Sequence, residues 1–173
     1  MNECLILVDN SKAFICGQEL SAKKRKLEYP QDFSWRIDFG ALLREVANGC
    51  QIIKALLVGS TPPPNDSLWN SAKQSGFEVK TFVRSPSGEK SVDTEILASG
   101  LDVIYEHPQP AILKLLSGDR DFVPLVQRAY KRGWETELWG FSHCISGELQ
   151  QMAHRVILLD DMLEVVGRYE GLK

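Results

Sequence analysis

The sequence has no long apolar run, no excess of basic residues and few cysteines. No stretch reaches the roughly 18 to 20 apolar residues that a membrane span requires, and the apolar run near the start has no secretory signal around it. Lys and Arg number 20 against 23 Asp and Glu, giving a formal net charge of −3. This balance argues against a protein that holds nucleic acid by bulk positive charge alone. With 43% hydrophobic and 25% charged residues, a disordered or fibrous chain is excluded.

The cysteines are not arranged in a metal-binding pattern. No two of them have C-x-x-C spacing, which argues against a structural zinc site, and His143 beside Cys144 is not a usable zinc arrangement alone. A chain of 173 residues with this apolar content does not need disulfides to build a core. We therefore expect free thiols and a cytoplasmic location. The four thiols are those of Cys4, Cys16, Cys50 and Cys144.

Short apolar runs alternate with amphipathic segments along the chain. Continuous apolar runs are typical of strands covered on both faces, as in parallel sheets. Such strands are predicted at 5–8, 52–58, 111–116, 134–139 and 156–159, with a half-exposed strand nearer an edge at 77–83. The alternation predicts an α/β protein with an open, mainly parallel sheet of five to six strands and helices on both faces.

Polar residues before the amphipathic segments predict where helices begin. Helix N-caps are predicted at Asp38, Asn65 or Asp66, Ser91, Ser146 and Asp160. The irregular stretch at 17–34 contains the basic run 23–26 and is interpreted as a long surface loop. We expect one domain over residues 1–173.

Carboxylates follow the predicted strands at the edge where open α/β sheets bind ligands. Asp9 ends the first strand, and Asp119 and Asp121 follow the strand at 111–116. Asp93 is predicted in the first turn of the helix after the strand at 77–83. Four carboxylates from three segments thus converge on one rim. Like charges so close repel unless a cation neutralises them. Mg²⁺ or Mn²⁺ suits such oxygen ligands and can activate water towards a phosphodiester.

Structural roles compete for some of these acids. Asp121 precedes an apolar helical run and suits an N-cap, and Asp93 near a helix start is favourable to the helix dipole. Asp9 at the end of a buried strand needs a partner. The joint placement of all four acids favours the metal site.

Three segments carry a family resemblance. They are Val-Asp-Asn-Ser at 8–11, Val-Asp at 92–93 shortly after Lys90, and the stretch at 117–125, whose Gly-Asp-x-Asp-Phe-x-Pro-Leu pattern is the most specific. They resemble the NYN domain, the PIN-like nuclease group that includes the LabA-like proteins, from about residue 4 to about residue 160. The resemblance implies a PIN-like Rossmannoid fold and a metal-dependent ribonuclease. Its catalytic, metal-binding acids would be Asp9, Asp93, Asp119 and Asp121, with Asn10 as a supporting polar residue.

Two positions depart from the family pattern. The family often has Asn where this chain has Lys12, and Asp where this chain has His154. Lys12 adds a positive charge near the phosphate path. His154 is expected to weaken a polar contact on the rim.

Several polar side chains near the acids are candidate RNA contacts. They are Asn10, Lys12, Lys90, Arg120, Ser142 and Ser146. Helix capping is the commoner role for Ser146. The basic run 23–26 could hold phosphates, and Tyr29 and Trp35 could stack on bases. A solvated loop and core packing are the competing interpretations.

The leading prediction is an endoribonuclease that uses Mg²⁺ or Mn²⁺, with water as the nucleophile and single-stranded or structured RNA as the substrate. The alternative is a catalytically weak regulatory module of the same fold that binds RNA or a protein partner. The net charge and the two departures favour the alternative, whereas retention of all four acids argues against it. A phosphatase would have a second Asp two residues after Asp9, where this chain has Ser11. No membrane contact is expected, and a homodimer stays open.

Overall fold

The protein is described by a computed structural model that covers residues 2–61, 67–83 and 85–171. Its main strands are β1 (Glu3–Asp9), β3 (Gln51–Thr61), β4 (Glu78–Val83), β5 (Ile112–Leu116), β6 (Glu135–Gly140) and β7 (Arg155–Leu158). They form one sheet in the order β4-β3-β1-β5-β6-β7, and each neighbouring pair is parallel. The predicted open parallel sheet is therefore confirmed, including the edge position of β4.

A second, smaller sheet was not predicted. It pairs β2 (Trp35–Ile37) with β8 (Gly167–Tyr169) in antiparallel register. Both strands are three residues long, which is too short for an apolar alternation to be recognised in the sequence.

Helices cover both faces of the main sheet. They are α1 (Asn10–Lys24), α2 (Phe39–Ala47), α3 (Ser67–Ser75), α4 (Pro86–Glu106), α5 (Val123–Lys131), α6 (Gly147–Met152) and α7 (Leu163–Val166). Short 3₁₀ helices lie at Arg120–Phe122 and Ser142–Cys144. Among the described residues, no helix is long and apolar enough to cross a bilayer.

Successive side chains of the central strand β1 serve two separate cores. Ile6 and Val8 pack into a cluster with residues of α1, α2 and α3. Leu5 and Leu7 pack into the other cluster with residues of α4 and α5. All four side chains are 0% exposed, and burying each contributes about 1.5 to 3 kcal/mol. The end of β1, where Asp9 lies, is therefore packed against helices on both faces of the sheet.

The predicted loop at 17–34 is wrong for its first part. Helix α1 continues through it to Lys24. Gly17, where the predicted loop begins, is buried within the helix, and a Cβ there would overlap the ring of Trp35. The missing side chain leaves room for this indole, which is 1% exposed. Core packing of Trp35, rather than base stacking, is therefore confirmed. Only residues 25–34 form a loop.

The predicted helix starts have mixed outcomes. Asp38 caps α2 and Ser146 caps α6, as expected. Ser91 lies inside α4, which begins at Pro86, so Asp93 is not in the first turn.

Of the two remaining predicted caps, one is not tested and one is wrong. Asn65 and Asp66 lie outside the described residues. Asp160 does not begin a helix, because α7 starts only at Leu163 with Met162 as its cap. Its carboxylate instead accepts hydrogen bonds from Ser142.

The expectation of four free thiols is wrong for one pair. Cys16 and Cys144 form a disulfide, whereas Cys4 and Cys50 are free. The bonded cysteines are separated by 128 residues in sequence. They meet because α1 packs beside the 3₁₀ helix that follows β6.

Candidate active site

Three of the predicted acids form a cluster at the carboxyl ends of the central strands. Asp93, Asp119 and Asp121 each offer a carboxylate oxygen, and these three atoms lie within 4.8 Å of one another. Asp93 comes from α4, whereas Asp119 and Asp121 follow β5. Asp93 and Asp119 are half-buried and Asp121 is exposed. One part of the cluster is therefore covered by protein and the other faces solvent, an arrangement that would leave a bound ion accessible to a substrate.

The turn after β5 holds Asp119 and Asp121 in place. The Ser117 hydroxyl accepts a hydrogen bond from the Asp119 backbone N–H at 3.3 Å. Asp119 Oδ1 in turn accepts from the Asp121 N–H at 2.9 Å and caps the 3₁₀ helix. Asp119 therefore caps the 3₁₀ helix, whereas the sequence pattern suited Asp121 to an N-cap. One oxygen of Asp119 orders the turn, and the exposed Asp121 carboxylate projects from it.

Gly118 brings a neighbouring loop close to this turn. A Cβ at Gly118 would overlap the Cys144 carbonyl and would lie 2.6 Å from Ile145 Cα. The Ser146 N–H donates to the Gly118 carbonyl at 2.9 Å. The loop after β6 is therefore packed backbone against backbone beside the acids.

Asp9 is the most deeply buried of the four acids. It is 3% exposed, ends β1 and caps α1, where its Oδ1 accepts from the Lys12 N–H at 3.3 Å. Burial raises the pKa of Asp9 to about 7, against the effect of this hydrogen bond. The negative charges of Asp93 and Asp119 contribute to this rise in the pKa of Asp9. The charges of the cluster therefore act on Asp9, and a cation bound at the cluster would favour the ionised form of Asp9.

Asn10 contributes an unsatisfied acceptor to the same rim. Its side chain is 6% exposed, and among residues 2–61, 67–83 and 85–171 its buried Oδ1 has no hydrogen-bond partner. Its Cβ packs against Gly59 at the end of β3, where a further Cβ would come within 3.3 Å. An orphaned buried carbonyl oxygen normally costs about 1 to 3 kcal/mol unless something satisfies it.

A family profile matches most of this chain. The NYN domain profile matches residues 7–160, which includes all four acids. The chain belongs to the NYN domain family. NYN domains are part of the PIN-like nuclease superfamily, so the resemblance stated above is confirmed at the level of the family.

Comparison with solved structures supports the fold of this NYN protein. A crystal structure of a protein of unknown function from Vibrio parahaemolyticus superposes with a TM-score of 0.68 at 20% identity. The match covers 92% of this chain and 94% of the other. No curated protein matches the chain.

Three of the predicted substrate contacts of the NYN protein are basic side chains. Lys12, Lys90 and Arg120 are exposed and lie near the acids in sequence. Lys12 also lines a shallow pocket together with Ser117 and Gly118.

The two candidate serines are engaged within the protein. The Ser142 hydroxyl donates to Asp160 Oδ2 at 2.6 Å. The Ser146 hydroxyl accepts from the Leu149 N–H at 3.2 Å and so caps α6. Their contacts give them a structural role.

His154 is not on the rim, contrary to expectation. It precedes β7, and its Nδ1 accepts from the Thr136 N–H at 3.1 Å, near the start of β6. Because β6 and β7 are parallel, this position lies at the amino ends of the strands, whereas the acids lie at the carboxyl ends. The family departure at His154 therefore leaves the acid cluster untouched.

Ser117 is the site residue that sequence reasoning missed. It is 3% exposed and orders the turn that carries Asp119. The signal was present, because a serine two residues before an aspartate in a Ser-Gly-Asp sequence is typical of a side-chain-stabilised turn.

Proposed function

We propose that this NYN protein is an endoribonuclease that depends on Mg²⁺ or Mn²⁺ and uses Asp9, Asp93, Asp119 and Asp121 as its metal ligands. One observation carries the proposal: three carboxylate oxygens from two chain segments lie within 4.8 Å of one another, beside a fourth, buried acid. Membership of a family of predicted ribonucleases supports it.

The residues present fit a hard divalent cation. The four acids and the orphaned Oδ1 of Asn10 offer only oxygen donors, which Mg²⁺ and Mn²⁺ prefer. Burial and neighbouring charge raise the pKa of Asp9, so the rim carries repulsion that a cation would relieve.

The reaction divides between the cation and the chain. When bound, the cation supplies Lewis acidity and lowers the pKa of a coordinated water. The turn after β5 orients Asp119 and Asp121, and β1 with α1 fixes Asp9. Lys12, Lys90 and Arg120 offer positive charge to RNA phosphates on the solvent side. We leave Ser142 and Ser146 out of the substrate contacts because their hydroxyls are engaged elsewhere.

Cleavage of circular single-stranded RNA tests the proposal, because a circle has no ends and only an endonuclease opens it. We expect linear products with Mg²⁺ or Mn²⁺ and none with EDTA. Asp119→Asn should lower the metal-dependent rate at least ~100-fold, since losing a charged ligand removes several kcal/mol of transition-state stabilisation. Its metal-free melting temperature should stay the same or rise, because one repulsive charge is gone.

Asp102→Asn is the matched control. Asp102 is exposed on α4, nine residues beyond Asp93 and hence about 13 Å along the helix. It should cleave at the wild-type rate.

Two outcomes would contradict the proposal. Equal RNA affinity without metal-dependent cleavage in wild type and Asp119→Asn would favour the regulatory alternative. Cleavage that persists in Asp119→Asn would indicate a contaminating ribonuclease.

A further inference from the structure

Four donor side chains outside the carboxylate cluster meet beside helix α1. Cys16, Glu19, His143 and Cys144 each offer one ligand atom, and these atoms lie within 4.8 Å of one another. The two sulfurs are joined in the disulfide, and His143 Nε2 lies 3.4 Å from Glu19 Oε1. We propose that, once this disulfide is reduced, the four side chains bind Zn²⁺.

Local structure explains why the donors converge. Cys16 and Glu19 are three residues apart on α1, so they share one face of the helix. His143 and Cys144 are consecutive in the 3₁₀ helix that follows β6. The Cα atoms of the two cysteines are 6.5 Å apart, so both side chains can reach a common ion.

The donor types select zinc rather than the cation of the acid cluster. Two thiolates, an imidazole and a carboxylate form a ligand set typical of Zn²⁺, whereas Mg²⁺ prefers oxygen alone. A tetrahedral zinc ion places its ligand atoms about 3.3 to 3.8 Å apart. The present spacing of at most 4.8 Å requires only small side-chain movements to reach that geometry.

Burial gives the site an inner and an outer side. Cys16 is 5% exposed, which shields the sulfurs. The side chains of His143 and Glu19 are 40% and 42% exposed, so an ion can enter from solvent on their side. A disulfide serving only as a crosslink requires neither an imidazole nor a carboxylate beside it.

The conversion balances with a small dithiol as reductant. Its two thiols close into a cyclic disulfide and give two electrons and two protons to the protein disulfide, whose S–S bond breaks to leave two cysteine thiols. Binding of Zn²⁺ then releases those two protons to water, because the thiolate is the form that coordinates metal. Zinc itself undergoes no redox change.

Cobalt(II) provides a probe that does not detect the acid cluster. The protein is reduced with dithiothreitol, freed of it by anaerobic gel filtration, and titrated with Co²⁺. We expect thiolate-to-cobalt absorption in the near ultraviolet that reaches a plateau at one equivalent and disappears when Zn²⁺ is added. Carboxylate ligands do not give this absorption. The oxidised protein should not give it, and a reduced protein without it would overturn the proposal.

Variants then identify the ligands. Cys144→Ser should abolish the absorption, and His143→Ala and Glu19→Gln should each weaken Zn²⁺ binding at least ~10-fold. Cys50→Ser is the matched control, since Cys50 is a free cysteine outside the group, and it should behave as wild type. Absorption that survives in Cys144→Ser, or is lost in Cys50→Ser, would contradict the assignment.

Alkylation of the reduced wild-type protein avoids any effect of substitution on folding. Mass spectrometry after iodoacetamide treatment should find that Zn²⁺ slows modification of Cys16 and Cys144 at least ~10-fold. Modification of the half-buried Cys50 should not change. Equal modification of all three with and without Zn²⁺ would refute the site.

Discussion

Replacing Asp9 by Asn tests, in the absence of metal, the electrostatics of the acid rim formed by Asp9, Asp93, Asp119 and Asp121. Asp9 is 3% exposed, and burial together with nearby acids raises its pKa from 3.8 to about 7. The stabilisation that comes with the protonated form is complete below 3.8 and is lost as pH rises through about 7. At about 1.4 kcal/mol per pKa unit, the wild-type protein should lose about 2.5 kcal/mol of stability between pH 5 and pH 8 through this group.

Urea unfolding followed by tryptophan fluorescence, in EDTA at pH 5 and pH 8, measures the effect. Asn does not titrate but can still accept the capping hydrogen bond from Lys12. The stability of Asp9→Asn relative to wild type should therefore rise by about 2.5 kcal/mol from the lower to the higher pH. Parallel pH profiles of the two proteins would refute the assigned environment of Asp9.

Asp32 is the matched control, because it is also 3% exposed. Burial acts to raise its pKa, but hydrogen bonds from Ser21, Ser34 and Arg25 hold the pKa of Asp32 at about 2. Its stabilisation is present above 3.8 and is lost only as pH falls through about 2. Asp32→Asn should thus cost about 2 kcal/mol equally at both pH values.

Adding metal at the higher pH should stabilise the wild-type protein more than Asp9→Asn. A divalent cation at one hundred times its dissociation constant should stabilise the wild-type protein by about 2.7 kcal/mol. Asp9→Asn should gain less, because a charged ligand has been removed. Equal stabilisation of both proteins would exclude Asp9 from the metal site.

Two further substitutions test the framework of the site by urea unfolding. Gly118→Ala should lower stability by about 2 to 3 kcal/mol because its Cβ would lie 2.6 Å from Ile145 Cα. Gly147→Ala is the control: a Cβ there would meet no non-neighbouring atom of the described residues within 4 Å, so stability should change by less than about 0.5 kcal/mol. Equal effects would contradict the close packing at Gly118. Lys114→Met should lower stability by about 3 to 5 kcal/mol. The Lys114 ammonium, which is 1% exposed, donates to the last carbonyls of α2 and lies 3.4 Å from Glu137. An unchanged midpoint of urea unfolding would contradict that role.

The acid rim could be predicted because its signals are local. Asp9 and Asp119 each follow an apolar run of strand length, and parallel strands place their ends on one edge. The start of α4 could not be predicted as well, because Ser91 resembles an N-cap even inside a helix. The first part of the predicted loop at 17–34 was wrong for a different reason. Helix α1 accommodates Gly17 because the missing side chain leaves room for the ring of Trp35, a tertiary contact that local sequence does not reveal.

The cysteine cluster could not be found from sequence spacing. Zinc motifs are recognised when ligands come in closely spaced pairs, whereas here Cys16 and Cys144 are 128 residues apart. His143 and Cys144 are adjacent in sequence, but their partners on α1 become neighbours only after the sheet has formed. Long-range proximity of this kind is a property of the topology rather than of any local segment.

The central position of β1 also determines when this protein can acquire its acid rim during synthesis. β1 is made before β3 and β5, which flank it in the sheet, and Asp119 follows Asp9 by 110 residues. At about 5 to 20 residues per second, a ribosome takes roughly 5 to 20 seconds to cover that distance. Until β5 has emerged, the nascent chain carries Asp9 without Asp119 and Asp121. A nascent chain that ends before β5 therefore cannot assemble the cluster, which forms only after Asp121 has left the ribosome.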